Sequence, residues 1–362
     1  MNRGKVVVAM SGGVDSSVAA LILKQQGYDV VGVTMRLWGV EDHKVSPLNK
    51  SCCSLEDVQD ARRVCDKIGI PHYLLNFERE FKTHVIDYFC QEYDRGRTPH
   101  PCLACNDKIK FDFLLRRAMF LDADYIATGH YARINNNKDN FKLLKGVDSS
   151  KDQSYVLFTL KQEELNKLLL PIGEYPKAEI RELAAQAGLS VADKPDSQDI
   201  CFIPDGDYRR FLAGKLKPKP GYIVDSNGAI VAEHPGIQFF TVGQRRNLGL
   251  NKGTPKPVYV IEINPDINQV TVGEEIQLYR HKLWASAVNF ISGSLPDNPL
   301  EVTAKIRYKA TEAKATISYE KQFMEIYFEK PQRAITPGQA VVFYKDEEVL
   351  GGGIIETKLP HY

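Results

Sequence analysis

No run of apolar residues in this chain comes near the ~18 that a bilayer-spanning helix needs. The apolar run near its start, Val6-Val7-Val8-Ala9-Met10, is too short for a secretion signal. These absences place the expected protein in the cytoplasm, away from any membrane. Cysteine is scarce and odd in number. Seven (Cys52, Cys53, Cys65, Cys90, Cys102, Cys105 and Cys201) in a long chain without a signal argue against a framework of structural disulfides, and leave some thiols for chemistry. A dominant charge sign is missing too: 47 basic against 46 acidic side chains give a net charge of +1, which taken as an average offers no support for a polyanionic partner. There is no low-complexity segment and no convincing internal repeat.

What is present is the balance of an ordinary folded protein, 43% hydrophobic and 26% charged, in 362 residues, a length that suggests two or three domains. Residues 5–10 read as a strand, Ser11-Gly12-Gly13 as a loop, and Asp15 to Gln26 as a helix stopped at Gly27. The alternation continues with strands at 29–35, 71–76 and 124–128 and helices at 55–68 and around 111–120. Such alternation implies a parallel sheet covered by helices. From about residue 206 prolines multiply among short β-like runs and helical periodicity fades. Beyond about 280, alternating runs (283–290, 302–308, 315–319, 324–328, 340–344 and 349–355) suggest a small all-β barrel or sandwich. The expected division is 1–205, 206–279 and 280–362.

The segment from Met10 to Ser17 sits between the first strand and the first helix, where backbone N–H groups and the positive helix end can converge on a phosphate. The lysine-serine/threonine pair of a Walker loop and the Gly-x-Gly-x-x-Gly of dinucleotide folds are both missing. The complete Ser-Gly-Gly-Val-Asp-Ser string instead resembles the pyrophosphate loop of the ATP pyrophosphatase superfamily, whose members cleave ATP between its α- and β-phosphates. That resemblance implies an adenine nucleotide hydrolase-like α/β domain. It also implies an ATP site lined by Ala9, Met10, Ser11, Gly12, Gly13, Val14, Asp15 and Ser16. Asp15 would help position Mg²⁺, Met35 would face the adenine, and Gly129 would close over the nucleotide.

Cys102, Cys105 and Cys201 lie in loops rich in turn formers and polar groups, whereas Cys65 and Cys90 occupy apolar positions of helical patterns and are expected in the core. Cys52-Cys53 carries little signal. Six ordered motifs extend the resemblance: 11–17, Gly-Arg-Thr-Pro-x-Pro at 96–101 leading to Cys105-Asn106, Thr-Gly-His-Tyr at 128–131, Lys-Asp-Gln-Ser-Tyr at 151–155, Asp-Ser-Gln-Asp-Ile-Cys-Phe-Ile at 196–203 and Thr-Pro-Gly-Gln at 336–339. In order and over almost the whole chain they are similar to the bacterial tRNA-specific 2-thiouridylase family (MnmA/TrmU type). The resemblance implies sulfur transfer to the wobble uridine of lysine, glutamate and glutamine tRNAs. ATP adenylates the C2 oxygen, and sulfur displaces AMP. By the same resemblance Cys105 is the nucleophile, Cys201 carries a persulfide received from a partner sulfurtransferase, and the two can form a disulfide in turnover. His100, Pro101 and Cys102 would meet the target base in the anticodon loop. His130, Lys151, Asp152, Gln153, Arg307, Tyr308 and Gln339 would contact the tRNA.

One position departs from the family pattern: Cys102 stands where many relatives carry an aspartate proposed as general base, and His100 replaces an asparagine. Cys102 and Cys105 then form Cys-x-x-Cys, and with Cys201 they could hold a [4Fe-4S] cluster with one open iron, an alternative carrier for the sulfur. A structural zinc would lack a clear fourth ligand. A reading from a different enzyme class, a pyrophosphate-loop ligase that adenylates a small molecule, uses residues 10–17 equally well but leaves Cys105 and Cys201 unemployed. A non-catalytic RNA-binding or metal-storage protein has no use for the loop. Independently of family, residues 208–256 carry nine basic side chains (Arg209, Arg210, Lys215, Lys217, Lys219, Arg245, Arg246, Lys252 and Lys256) against two acidic ones, interleaved with Tyr208, Phe211, Tyr222, Phe239 and Phe240. The net charge is −3 over 1–207, +7 over 208–256 and −3 over 257–362, so the neutral average conceals a candidate phosphate-backbone footprint.

Overall fold

The first sheet grows from β-branched runs with glycine-punctuated connections. The computed structural model describes residues 3–38, 55–137, 140–196, 200–250, 257–296, 299–320 and 323–356; Cys52, Cys53, Lys252, Lys256 and residues 197–199 of the Cys201 motif lie outside them. Strand β1 (Lys5–Ala9) leads through Gly12-Gly13 into helix α1 (Val14–Gln25), then β2 (Asp29–Arg36), α2 (Leu55–Ile68) and β3 (His72–Asn76). Helical turns follow at 78–94 (α3) and 101–120 (α4), then β4 (Tyr125–Ala127). β5 (Ala132–Asn137) and β6 (Asn140–Lys145) leave this sheet, and β7 (Leu168–Leu169) returns to it ahead of α5 (Lys177–Gln186). The sheet is all parallel in the order β3-β2-β1-β4-β7. Strand order reverses between β1 and β4, the switch point beyond whose carboxyl ends open α/β sheets bind ligands.

Alternate residues of β1 serve two cores, as expected for a strand covered on both faces. Val6 and Val8 pack with Val18, Ile22 and Leu23 of α1 and with Ala61, Val64 and Cys65 of α2. Val7 and Ala9 face the opposite cluster, which includes Phe81 of α3 and Ile109, Phe111 and Leu114 of α4. Both long helical segments widen to i→i+5 winding in part of their length, at Lys82–Asp87 and Cys105–Leu114. Cys65 and Cys90 are buried, and desolvation chiefly pushes the Cys65 thiol up to about 12.

After α6 (Tyr208–Ala213), β8 (Gly221–Val224), β9 (Ile230–His234), β10 (Tyr259–Asn264) and β11 (Gln269–Gly273) form a four-stranded sheet in the order β10-β11-β8-β9. Its core takes in Phe89, Cys90 and Tyr93 from the end of α3, so the first and middle segments share an apolar junction. Helix α6 interrupts a stretch in which helical periodicity fades. It spans six residues, too few to show a period, and is set by Asp207, whose carboxylate accepts the Arg210 N–H at 3.1 Å.

The C-terminal strands β12 (Tyr279–Phe290), β13 (Leu300–Lys305), β14 (Ala313–Glu320), β15 (Phe323–Arg333), β16 (Ala340–Lys345) and β17 (Glu348–Glu356) run in the cycle β12-β15-β14-β13-β16-β17. β12 also pairs with β17 along Gly351 to Glu356, which closes an antiparallel barrel and leaves the start of β17 to another partner. The β5–β6 hairpin joins this sheet, with Leu144 and Leu143 paired to Glu348 and Val349. A hairpin from the first segment therefore extends the sheet of the last. Its Asn-rich sequence shows no strand alternation, and the pairing across the molecule decides its conformation.

Gly32 of β2 is held tightly against α2: a Cβ there would stand 2.5 Å from Cys65 Sγ. Gly32→Ala is expected to cost about 1–3 kcal/mol of unfolding free energy by overpacking. Adding Cys65→Ala to that variant should recover part of the loss, a non-additivity that denaturant titration of the two single variants and the double variant would measure.

Candidate active site

The loop at residues 10–17 is built by its own hydroxyls. Ser16 Oγ accepts the Ser11 N–H at 3.1 Å and donates to Gly13 O at 3.2 Å, and Ser17 Oγ donates to Gly13 O at 2.8 Å. Gly12 has φ +73°, and a Cβ there would lie 2.4 Å from Asp57 O, so glycine is required twice over, by conformation and by space. Gly13, the N-cap of α1, offers no side-chain acceptor to the first helical N–H groups. An anion can take that place. Met10 and Met35 are buried, in the cores on opposite faces of the sheet. Gly129 closes against it: a Cβ on Gly129 would lie 2.6 Å from Ser16 N and 2.7 Å from the Asp15 carbonyl carbon.

Lysines that no motif spacing had singled out surround the loop. Lys194 Nζ donates to Gly12 O at 2.9 Å and to Asp57 and Asp60 of α2 at 2.6 and 2.7 Å, tying the loop to that helix. Lys177 Nζ donates to both Asp15 oxygens at 2.7 and 2.8 Å and lies 2.8 Å from Asp196. Asp196 also takes Lys151 at 2.8 Å and Arg181 at 3.1 Å. Burial alone would discourage its ionisation, but the hydrogen bonds and charges of Lys151 and Lys177 prevail and hold the Asp196 carboxyl at about 2. Tyr131 OH donates to Asp15 at 2.7 Å. Asp15, the one carboxylate of residues 9–17, is thus half-exposed and its charge is held by a lysine. The signal for these lysines was a polar, turn-rich setting around 176–196, which sequence alone does not separate from a solvated surface.

The cysteine-bearing segments are linked to this loop indirectly, through His130 and Gly129 on one side and through Lys177 and Asp196 on the other. Pro101 opens α4 in the first-turn position that suits it. Cys102 is exposed in that first turn, while Cys105 and Cys201 are half-buried and border the same apolar cluster. Phe202, next to Cys201, wedges between Phe81, Phe89 and Phe211 at ring separations of 5.8, 5.3 and 5.4 Å. Asp196 is tied to Lys151, Lys177 and Arg181. Among the described residues no three His, Cys, Asp or Glu side chains are grouped to hold a metal ion. Cys102, Cys105 and Cys201, the three thiolates of the cluster alternative, are not such a group among the described residues: Cys102 is exposed and the other two are half-buried.

His100 lies before Pro101, its ring 6.1 Å from Tyr155 and 6.2 Å from Tyr308. Burial pushes the His100 imidazole down to about 4, so it is neutral near pH 7. Burial, with Asp152 and Cys102 nearby, pushes the Tyr308 phenol up to about 12. The loop before His100 is clamped from other parts of the chain. Arg97 bridges Glu92 (2.7 Å) and Glu356, Thr98 N–H donates to Pro337 O at 2.8 Å, and Gln339 donates to Thr98 O at 2.8 Å. Thr98 and Thr241 hydroxyls meet at 3.0 Å.

The other residues expected at the tRNA have internal duties. Asp152 accepts from Gly146 N, Ser154 N and Ser154 Oγ at 3.1, 3.1 and 2.9 Å. Gln153 receives the Tyr131 N–H at 3.0 Å, and Arg307 donates to Thr336 Oγ1 at 2.9 Å. His130 is buried between Thr128, whose Oγ1 is 2.7 Å from Nδ1, and Lys110, whose Nζ is 3.4 Å from Nε2. In the middle segment Arg210, Lys215, Lys217, Lys219, Arg245 and Arg246 are exposed. Phe239 and Phe240 are core residues there, so of the interleaved aromatics only Tyr222 presents an open ring, at 50% exposure.

Three family signatures match the chain in succession: the tRNA methyl transferase HUP domain over residues 4–205, the tRNA methyl transferase PRC-barrel domain over 209–274, and the aminomethyltransferase beta-barrel domain over 280–355. The tRNA-specific 2-thiouridylase MnmA of Clostridium perfringens is 52% identical over 99% of this chain and 100% of its own length. That of Carboxydothermus hydrogenoformans is 50% identical over 99% of both. Among the described residues no helix is long and apolar enough to cross a membrane.

A carboxyl held low in the folded chain adds stability above its unfolded value and loses it as pH falls through the folded one. The Asp196 contribution should therefore be present at pH 7 and disappear between about pH 4 and pH 2. Asp196→Asn is expected to lower unfolding stability by about 1–2 kcal/mol at pH 7. It should also flatten the acid-side decline, both read from denaturant unfolding as a function of pH.

Proposed function

This chain belongs to the tRNA-specific 2-thiouridylase family, and on that premise we propose that it thiolates C2 of the wobble uridine in lysine, glutamate and glutamine tRNAs, in the cytoplasm, at the expense of ATP. The observation that carries this reading is the segment 128–131, which joins the two halves of the chemistry. Its Gly129 abuts the phosphate loop at Asp15–Ser16, and its His130 contacts Lys110 on the helix that bears Cys105. An adenylating loop and a candidate nucleophile helix thus meet across two consecutive residues.

In this mechanism the N–H groups at the start of α1 and the hydroxyls of Ser11 and Ser16 receive the ATP phosphates, with Met35 and Gly129 against the nucleoside. Mg²⁺ would be held by the phosphates and by Asp15, whose half-exposed carboxylate is suited to a hard cation. When bound it would neutralise charge on the departing pyrophosphate. The uridine must leave its stack to reach the site, which an anticodon loop permits at modest cost. His100, Pro101 and Cys102 then border the base, the neutral imidazole offering a hydrogen bond without added charge. The uridine C2 oxygen attacks the α-phosphorus and pyrophosphate leaves. The terminal sulfur of a persulfide on Cys201 attacks C2, and AMP departs with the former C2 oxygen. Cys105 thiolate then attacks Cys201 Sγ, which releases the thiocarbonyl on the base and leaves a Cys105–Cys201 disulfide for a thiol reductant to reopen. A sulfurtransferase partner reloads Cys201. Lys151, Asp152, Gln153, Arg307, Tyr308 and Gln339 shape the surface that meets the tRNA, with 206–279 and 280–362 as its docking domains, and the exposed basic residues of 208–256 track its phosphates.

A thiolation assay on unmodified glutamate tRNA with ATP, Mg²⁺ and a sulfur source tests the chemistry. Cys105→Ser and Cys201→Ser should each abolish 2-thiouridine, and Cys65→Ser should retain most of it; full activity in the Cys201→Ser protein would sink the persulfide route. Replacing Arg209, Arg210, Arg245 and Arg246 together with glutamine should lower the steepness with which tRNA affinity falls as salt rises. An unchanged slope would assign those side chains to a solvated face.

A further inference from the structure

Lys110 carries a charge that nothing described in the structure balances. Lys151, Lys177 and Lys194 each rest on carboxylates at 2.6–2.8 Å. Lys110 is half-buried, its one polar contact among the described residues is His130 Nε2 at 3.4 Å, and no described carboxylate lies within ion-pair distance of it. The imidazole cannot supply the missing anion. Burial first, and the Lys110 charge second, push its pKa well below the ordinary value, so it stays neutral. With an ammonium donating to Nε2, the ring proton sits on Nδ1 and is given to Thr128 Oγ1 at 2.7 Å. His130 therefore acts as a neutral bracket for a cation. An ammonium placed here with no carboxylate beside it is open to an arriving anion.

The place of that ammonium says which anion. His130 follows Gly129, the residue packed on Asp15–Ser16 at the start of α1. On the other side, α4 has i→i+5 winding from Cys105 to Leu114, so one wide turn brings Lys110 back over Cys105. The charge thus lies between the loop that would hold the ATP phosphates and the helix that carries the nucleophile. Of the groups in the reaction set out above, the α-phosphate is the one that must be reached from both.

We propose that Lys110 is a catalytic residue that binds the α-phosphate of the adenylated uridine and stabilises its charge in both half-reactions. The inference rests on the adenylation reading. In the first step the bond from the C2 oxygen to the α-phosphorus forms, the bridging bond to the β-phosphate breaks, and its electron pair leaves on pyrophosphate. In the second the sulfur–C2 bond forms, the C2–O bond breaks, and its electron pair leaves on the oxygen of AMP. Negative charge sits on the α-phosphate oxygens throughout. Lys110 acts as a hydrogen-bond donor to those oxygens, and no proton is transferred through its nitrogen.

Single-turnover release of pyrophosphate from ATP·Mg²⁺ by the full-length enzyme, with and without unmodified glutamate tRNA and with no sulfur source, isolates the first step. Wild type should release pyrophosphate only with tRNA; if it releases none, the adenylation reading fails and this inference fails with it. Given an active wild type, Lys110→Met should slow release about 100-fold. Its tRNA dissociation constant should stay within about threefold, and Lys110→Arg should return the rate to within about tenfold of wild type. A wild-type rate in Lys110→Met overturns the proposal. So does unchanged release combined with a shift of Cys105 alkylation to higher pH, which would make Lys110 a partner of the thiolate. Should Lys110→Met fail to fold, Lys110→Ala assayed with added ethylammonium decides. A rate that climbs with the amine supports the phosphate contact, and a flat response refutes it.

Discussion

Everything at the candidate site depends on how Arg97 is held. Its guanidinium is largely withdrawn from water and spans Glu92 at the end of α3 and Glu356 on the last barrel strand, residues 264 positions apart in sequence. A buried cation of this kind persists only with both carboxylates in place, since removing either leaves an uncompensated charge. The clamp fixes the course of residues 97–100, and Thr98 is bonded on the same stretch to Pro337, Gln339 and Thr241. Because α4 begins immediately afterwards, the placement of His100, Cys102 and Cys105 is inherited from contacts made by all three parts of the chain.

A second layer of electrostatics arranges the nucleotide end. Asp15 and Asp196 share Lys177, so the phosphate loop and the segment leading to Cys201 are joined through one ammonium. A ligand that changes the partners of Lys177 would be felt at both. Lys110 differs from these lysines in having a neutral neighbour, and the difference separates charges that organise the protein from one kept for a substrate.

How much of this was legible differs by residue. The glycine loop, the first three strands and the barrel strands are local patterns: β-branched runs, helical spacing and alternation that each segment shows by itself. Gly12 is legible for the same reason, because its left-handed φ is a local demand. The β5–β6 hairpin, with three asparagines in its first strand, has no such pattern and becomes sheet only because β17 offers an edge. Of the aromatics interleaved with the basic residues of 208–256, Phe239 and Phe240 fill the central core; sequence cannot tell an aromatic that faces an RNA from one that faces β8. The Cys-x-x-Cys spacing suggested shared metal ligation, but which thiols converge is a property of how α4 sits against the sheet.

The sequence by itself determined the segments and their chemistry: a phosphate loop between a strand and a helix, thiols outside the core, a basic middle stretch inside a neutral chain, and six motifs in family order. These are short-range facts, encoded in neighbouring residues. Only the tertiary structure decided which motifs meet. Gly129 against Ser16, His130 under Lys110, Asp15 and Asp196 on Lys177, and Arg97 between Glu92 and Glu356 join residues 5 to 259 positions apart. Most of these pairings leave no trace in local spacing, because they arise from helices packing on a sheet and a barrel closing on itself.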